Sequence, residues 1–96
     1  MKQSHKDLQL LLMCSVAYYH RFESLIEDHE YDAIAKSLLK SWDDWQDHQH
    51  AYLVTKEDLA AGTMYSKDYK DYPNMVLAAT EMRIRQNREK LNEMYQ

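Results

Sequence analysis

The sequence of 96 residues has little of what bends or crosslinks a chain: one glycine, one proline and one cysteine. A lone thiol cannot form a disulfide within the chain, so a hydrophobic core has to hold the fold. Few helix-breaking residues and regular apolar spacing favour α-helix. Hydrophobic residues make up 45% of the chain, enough for one core at this length. We therefore predict an all-α fold with a single domain over residues 1–96.

The chain also lacks a long apolar run and an excess of basic residues. No run reaches the ~20 residues that span a bilayer, and residues 8–16 lack the small-residue cleavage pattern of a signal peptide. The formal net charge is −4, whereas a general nucleic-acid binder presents a concentrated basic face. We predict a cytoplasmic protein without membrane contact, and the charge argues against direct nucleic-acid binding.

Two stretches with apolar residues at three- and four-residue spacing predict a helical hairpin over residues 8–46. The first helix follows Ser4 as its cap and ends near Phe22. The second begins at Asp28, a good N-cap residue, and runs to about Gln46, with residues 23–27 as the connection. The residues predicted to face the core are Leu8, Leu11, Leu12, Val16 and Tyr19 in the first helix, and Tyr31, Ile34, Leu38 and Trp42 in the second.

Two further helices are predicted in the second half of the chain. Thr55 and Asp58 have the spacing of a capping box, and Gly62 is placed to end a short helix over residues 55–62. Pro73 at a first helical position starts a long helix over residues 73–94. The residues predicted to face the core from its first half are Met75, Val76, Ala79 and Met82.

Polar side chains converge where the two hairpin helices meet. Asp28 precedes Tyr31 by three residues and Asp32 by four, so the three share one face of the first turn. Tyr19 and His20 lie on the last turn of the first helix beside them. The sequence therefore predicts two aromatic rings, one imidazole and two carboxylates around the loop end of the hairpin.

This set of groups suits a particular class of ligand. Aromatic faces attract a flat cation, and carboxylates accept hydrogen bonds from vicinal hydroxyls. His20 or Arg21 at the rim could meet one phosphate. A pyridinium riboside phosphate has all three parts.

The same residues resemble the N-terminal (Ia) domain of bacterial NAD-dependent DNA ligases. That family has a Tyr-(Tyr/His) pair, a loop, and then Ile-x-Asp-x-Glu-Tyr-Asp-x-Leu; this chain has Tyr18–His20, a loop, and Ile26–Ile34. The resemblance implies a helical domain that binds the nicotinamide mononucleotide (NMN) half of NAD, in a cytoplasmic protein of a bacterium or a phage. By resemblance, the NMN or NAD contacts are Tyr19, His20, Asp28, Tyr31 and Asp32.

The sequence has no Lys-x-Asp-Gly motif and is too short for a nucleotidyltransferase core, so we expect no ligase activity. Three functions stay open. The first, which we favour, is a stand-alone NMN or NAD binding module. The second is a protein-interaction module that uses the tyrosine segment and the last helix, including a homodimer through residues 83–95. The third is an enzyme acting on the nicotinamide riboside bond, with Asp28 or Asp32 as its catalytic carboxylate.

The tyrosine segment, residues 64–72, has two interpretations. Tyr65, Tyr69 and Tyr72 share a face if the segment is helical. Tyrosines among lysines can stack single-stranded bases. The acidic residues between them favour the alternative, in which the rings cover the hairpin with their hydroxyls at the surface.

The second half of the last helix is mostly polar, with a thin apolar stripe at Ile84, Leu91 and Tyr95. It is longer than the hairpin can cover, and its basic cluster comprises Arg83, Arg85, Arg88 and Lys90. Self-association, a partner protein, contact with an acidic surface and simple solvation all stay open.

Asp44, His48 and His50 form the other candidate site. Asp44 and His48 share a face if the second helix continues, and His50 could join them from a loop as a third metal ligand. The spacing matches no known zinc signature, so we favour a solvated helix end without a metal. Cys14 is predicted to be a small buried hydrophobic residue rather than a nucleophile.

Overall fold

The computed structural model describes residues 2–64 and 67–94. Within these ranges the α-helices are α1 (Gln3–His20), α2 (Asp28–Lys40), α3 (Lys56–Ala61) and α4 (Asn74–Met94). Short 3₁₀ helices cover Trp42–Asp44, Ala51–Leu53 and Tyr69–Asp71, and these ranges contain no strand. The all-α prediction is confirmed. None of the described helices combines the length and apolarity that crossing a bilayer requires.

Helix α1 is central, with α2 and α4 packed against it and α3 packed against α2. The α1–α2 pair is antiparallel. Ser15 bonds Tyr31 near one end, whereas Lys2 donates to the carbonyl of Asp44 near the other. The predicted hairpin is therefore formed, and the connection 21–27 lies at its loop end.

Helix α4 runs in the same direction as α1. Its first turns lie beside Leu12, and Glu81 then reaches Arg21 at 2.6 Å just past the end of α1. Seven residues after Glu81, Arg88 pairs with Glu23. The last turns of α4 therefore lie alongside the connection 21–27 and extend beyond it.

The core confirms much of the predicted pattern and corrects the end of α2. We expected α2 to continue to Gln46, but it ends at Lys40. Trp45 folds back with no exposed surface, and its Nε1 donates to the Leu38 carbonyl at 2.9 Å. That carbonyl is among the last four of α2, which have no partner within the helix. Leu8, Leu11, Leu12, Val16 and Leu38 are buried as predicted, and Tyr19, Tyr31, Ile34 and Trp42 pack partly buried against them.

Two predicted helix caps are wrong. Ser4 lies inside α1, whose N-cap is Lys2. Asp28 is the first residue of α2, and the N-cap is Glu27, which makes no side-chain capping bond. Because Asp28 lies within the first turn, its carboxylate complements the helix dipole without bonding a backbone N–H.

The caps predicted for α3 are confirmed. Thr55 Oγ1 accepts from the Asp58 N–H, and Asp58 Oδ2 accepts from the Thr55 N–H, both at 3.1 Å. Gly62 ends the helix in the left-handed region, at φ 71°. Pro73 precedes α4, and its carbonyl accepts the first bond, from the Val76 N–H at 3.0 Å.

The predicted inner face of α4 is partly wrong. Val76, Thr80 and Ile84 form the buried stripe, each four residues from the next. Met75 and Met82 were predicted to be inside but are 66% and 61% exposed. Thr80 was missed because it is polar; its hydroxyl donates to the Val76 carbonyl at 2.8 Å, which allows complete burial.

Helix α1 ends at His20, two residues before the predicted end, in a left-handed turn at Phe22. The Glu23 N–H bonds the Ala17 carbonyl at 2.9 Å across this turn, and Phe22 has φ 55°. This position usually holds glycine, because a Cβ strains the left-handed conformation. Phe22 is also 89% exposed, so it gains almost no burial in return.

We therefore expect Phe22→Gly to raise the free energy of unfolding by about 0.5–1 kcal/mol, since relief of strain exceeds the greater entropy of an unfolded glycine. Urea denaturation measures the change. Tyr52→Gly removes a comparably exposed aromatic residue that has no left-handed backbone, and it should not stabilise. A destabilised Phe22→Gly protein would show that the ring makes a contact that matters for folding.

Candidate functional site

A partly enclosed cavity of about 230 Å³ lies at the loop end of the hairpin, beside the connection 21–27. We call it the hairpin cavity. Helix α1 contributes Cys14, Tyr18 and Tyr19, and the connection contributes Ser24, Leu25 and Ile26; α2 contributes Asp28, Tyr31 and Asp32, and Gly62 completes the lining. Four of the five side chains predicted from the sequence, Tyr19, Asp28, Tyr31 and Asp32, therefore line one cavity.

The two predicted tyrosines are half-buried and held by their hydroxyls. Tyr31 donates to Ser15 Oγ at 2.7 Å, because the Ser15 hydroxyl proton is directed to the Leu11 carbonyl. Burial raises the pKa of Tyr31 to about 12, although the Ser15 bond opposes this shift. Tyr19 Oη bonds Thr63 Oγ1 at 2.6 Å. With both hydroxyls engaged by the protein, these residues offer a ligand the aromatic ring.

The two aspartates of the cavity differ in whether their carboxylates are already paired within the protein. Asp32 pairs with Lys36 one turn on in α2, at 2.7 Å between Oδ2 and Nζ. Asp28 is exposed, and its carboxylate forms no ion pair or hydrogen bond with residues 2–64 and 67–94. A ligand hydroxyl or cation therefore finds Asp28 with its accepting capacity intact, whereas Asp32 is partly neutralised.

Gly62 brings a further side to the cavity, which sequence reasoning missed. An added Cβ at this position would lie 3.2 Å from Asp32 Oδ1, and the backbone has φ 71°. Gly62 was interpreted only as the end of α3. Nothing in the local sequence indicates that α3 packs on α2 and brings this backbone against Asp32.

His20 is the predicted site residue that the structure does not bring to the cavity. Its Nε2 lies 2.9 Å from the Lys67 carbonyl, and its ring makes edge contacts with Tyr69 and Tyr72, both at 5.9 Å between centroids. Arg21, the other predicted phosphate contact, is paired with Glu81. Neither residue lines the hairpin cavity.

The tyrosine segment is largely a covering layer. Tyr72 is buried, and burial raises its pKa well above the usual range. Its hydroxyl finds no hydrogen-bond partner in the described parts of the chain, so the prediction of a surface hydroxyl is wrong for Tyr72. Tyr69 is exposed in a 3₁₀ turn. Tyr65 lies outside the described residues.

Cys14 lines the cavity as a buried thiol, as predicted. Burial raises its pKa from the ordinary 9.0 to about 11, although the nearby charge of Arg83 opposes the shift. We therefore expect iodoacetamide at about pH 7 to alkylate folded protein about 100-fold more slowly than urea-unfolded protein, because only the thiolate reacts. Mass spectrometry over time measures both rates. Equal rates would show that the thiol is accessible and ionised.

The candidate site of Asp44, His48 and His50 lacks the helical geometry on which it depended. The shared face of Asp44 and His48 required a continuing helix, but α2 ends at Lys40. His48 lies instead among other histidines, 5.0 Å from the ring of His5 and 5.4 Å from that of His50. His48 Nδ1 accepts a bond from the His50 backbone N–H at 3.0 Å, which requires that nitrogen to be unprotonated.

This histidine cluster makes stability depend on pH. Burial lowers the pKa of His48 below its ordinary value of 6.5, and repulsion from His5 and His50 adds to the effect, while Asp47 opposes it. The unfolded chain therefore binds a proton more readily than the folded chain. The contribution of His48 to stability is complete above pH 6.5 and decreases as the pH falls below that value.

We expect the melting temperature of the wild-type protein to fall more between about pH 7 and pH 5 than that of His48→Gln. Differential scanning fluorimetry measures both. His29→Gln changes an exposed histidine at the start of α2 and should retain the wild-type pH dependence. The same fall in all three proteins would assign the acid sensitivity to other groups.

Comparison with models of known protein families, with curated proteins and with solved structures gives no match to this chain. The resemblance to the ligase Ia domain therefore stays a prediction that rests on its motif residues.

Proposed function

We propose that this chain is a binding module for nicotinamide mononucleotide, or for the matching half of NAD, without ligase activity of its own. One observation carries the proposal: Tyr19, Asp28, Tyr31 and Asp32, separated by up to 13 positions in the sequence, line a single cavity. These are the groups that the chemistry of a pyridinium riboside requires.

The cavity suits a flat cation attached to a sugar. Tyr19 and Tyr31 present rings whose hydroxyls are already engaged, and an aromatic ring attracts a cation by about 0.5–2 kcal/mol. Asp28 can accept hydrogen bonds from ribose hydroxyls. The acidic first turn of α2 also favours positive charge over a bare anion.

The size of the cavity limits how much of the ligand it encloses. At about 230 Å³ it is smaller than the ~300–1,000 Å³ of pockets that enclose drug-sized ligands. It therefore accommodates the pyridinium ring and part of its sugar, with the rest of the nucleotide outside. We expect weak binding, with Kd in the range of about 0.1–1 mM.

A solution NMR titration with NMN tests the proposal. The amides of Tyr19, Tyr31 and Gly62 should shift, whereas that of Tyr52, exposed on the 3₁₀ turn Ala51–Leu53, should not. Reduced NMN is the matched ligand, since it has nearly the same shape without the positive ring. It should bind more weakly, because the attraction of a cation to the rings is lost. Absence of shifts at millimolar NMN would contradict the proposal.

A separate incubation of the protein with NAD, followed by NMR, tests the enzyme hypothesis. Asp28 is exposed and Asp32 is paired with Lys36, so neither carboxyl has the burial that favours a poised proton donor. We expect NAD to persist during incubation with the protein. Accumulating resonances of free nicotinamide would instead indicate cleavage of the riboside bond.

The protein-interaction alternative is favoured by one feature of α4. Leu91 and Met94 are exposed near its end, beyond the part that packs on α1. If residues 83–95 form a homodimer, multi-angle light scattering will show a concentration-dependent dimer that Leu91→Lys dissociates. Tyr95, the last residue of the predicted stripe, lies outside the described residues.

A further inference from the structure

A second concave surface lies between Leu25 of the connection 21–27 and the second half of α4. We call it the α4 groove. It has a volume of about 410 Å³ and is lined by Leu25, Arg83, Gln86, Asn87 and Lys90. Gln86, Asn87 and Lys90 follow Arg83 by three, four and seven residues, so the four α4 residues share one face of that helix. The groove is thus rich in cationic and amide donors.

The charges of this groove are available to a ligand. Nearby cations are neutralised within the protein, since Arg21 pairs with Glu81 and Arg88 pairs with Glu23. Arg83 and Lys90, by contrast, form no ion pair with any residue in the described ranges 2–64 and 67–94. In a chain of net charge −4, two uncompensated cations beside two amides form a local site for an anion.

The groove adjoins the hairpin cavity. Leu25 lines both, so a ligand that passes this side chain contacts both surfaces. Arg83 is also close enough to the cavity for its charge to act on Cys14, which lines the cavity. The rim residues that the sequence suggested for a phosphate, His20 and Arg21, are bonded elsewhere.

We infer that the α4 groove binds the phosphate of the ligand whose ring and sugar occupy the hairpin cavity. This inference rests on the proposed function of the cavity. Arg83 and Lys90 supply the positive charges, and the Gln86 and Asn87 amides donate to the remaining phosphate oxygens. The groove thereby selects phosphorylated pyridinium ribosides over the free riboside and gives the overhanging half of α4 a role in binding.

The test compares NMN with nicotinamide riboside, which lacks only the phosphate. Wild-type protein should bind NMN more tightly than the riboside. Arg83→Gln and Lys90→Gln should each lower the affinity for NMN by about fivefold, because each variant loses one charged contact to phosphate. Affinity for the riboside should stay within about twofold of wild type, since the riboside makes neither contact. Arg85→Gln is the control, because Arg85 is an exposed α4 residue outside the groove.

The outcomes separate this inference from the proposal on which it rests. Equal affinity for both ligands, or variants that weaken both ligands alike, would overturn the role of the groove and leave binding by the cavity intact. If neither ligand shifts Tyr19 or Tyr31, the proposed function fails, and the inference fails with it. Thermal melts of each variant establish that the exposed substitutions leave the fold unchanged.

Discussion

Trp45→Ala is expected to lower the free energy of unfolding by about 4 kcal/mol, the largest stability effect of any single change considered for this chain. Trp45 has no exposed surface and is the largest fully buried side chain among the described residues. Its ring lies edge to face with Trp42 at 4.9 Å, and its Nε1 satisfies the Leu38 carbonyl. Removal leaves a cavity and an unsatisfied carbonyl at the end of α2.

Urea denaturation measures this effect, and Trp42→Ala is the matched comparison. Trp42 is half-buried with Lys56 over its ring at 5.3 Å, so its removal should cost about half as much. The loss of unfolding free energy in Trp45→Phe should lie between those of Trp45→Ala and Trp42→Ala. This variant keeps an aromatic ring but loses the hydrogen bond to the Leu38 carbonyl. A larger cost for Trp42→Ala than for Trp45→Ala would contradict the description of the core.

Asp28→Asn is expected to lower the affinity for NMN about tenfold. The substitution replaces a carboxylate, which accepts hydrogen bonds from sugar hydroxyls, by a neutral amide in a site that favours cations. Asp28 is exposed and makes no capping bond. The free energy of unfolding should therefore change by less than about 1 kcal/mol, the scale of a charge at a helix N-terminus. Isothermal titration calorimetry measures binding, and thermal melts measure stability.

Asp43→Asn is the control for Asp28→Asn, since Asp43 is an exposed aspartate outside the hairpin cavity. It should leave NMN affinity unchanged. The effect of Asp28→Asn should also extend to nicotinamide riboside, in contrast to Arg83→Gln, because Asp28 contacts the riboside part. Normal affinity in Asp28→Asn would show that the carboxylate has no part in binding.

The features predicted correctly from the sequence depend on local signals. Apolar spacing defined the inner face of α1, and the side-chain types of Thr55 and Asp58 defined the start of α3. The end of α2 could not be predicted this way. It depends on Trp45 returning to the Leu38 carbonyl, a contact that periodicity does not encode. Met75 and Met82 were placed inside because they are apolar, whereas packing on α1 buries Val76, Thr80 and Ile84.

The candidate site was predictable to the extent that it lies on two adjacent helix ends. Helical spacing joins Asp28, Tyr31 and Asp32, and the antiparallel hairpin brings Tyr19 beside them. Gly62 and Arg83 reach the site region only because α3 packs on α2 and α4 packs on α1. His20 was assigned to the site from its place on the last turn of α1 and by resemblance, but its ring lies against the covering segment near Tyr72.

Intermolecular nuclear Overhauser effects between NMN and the protein test most directly whether the hairpin cavity receives a pyridinium ring. We predict cross-peaks from the nicotinamide ring protons to the aromatic protons of Tyr19 and Tyr31, with the ribose protons near Asp28. Cross-peaks confined to other surfaces, or none from a saturated sample, would contradict the proposed binding site.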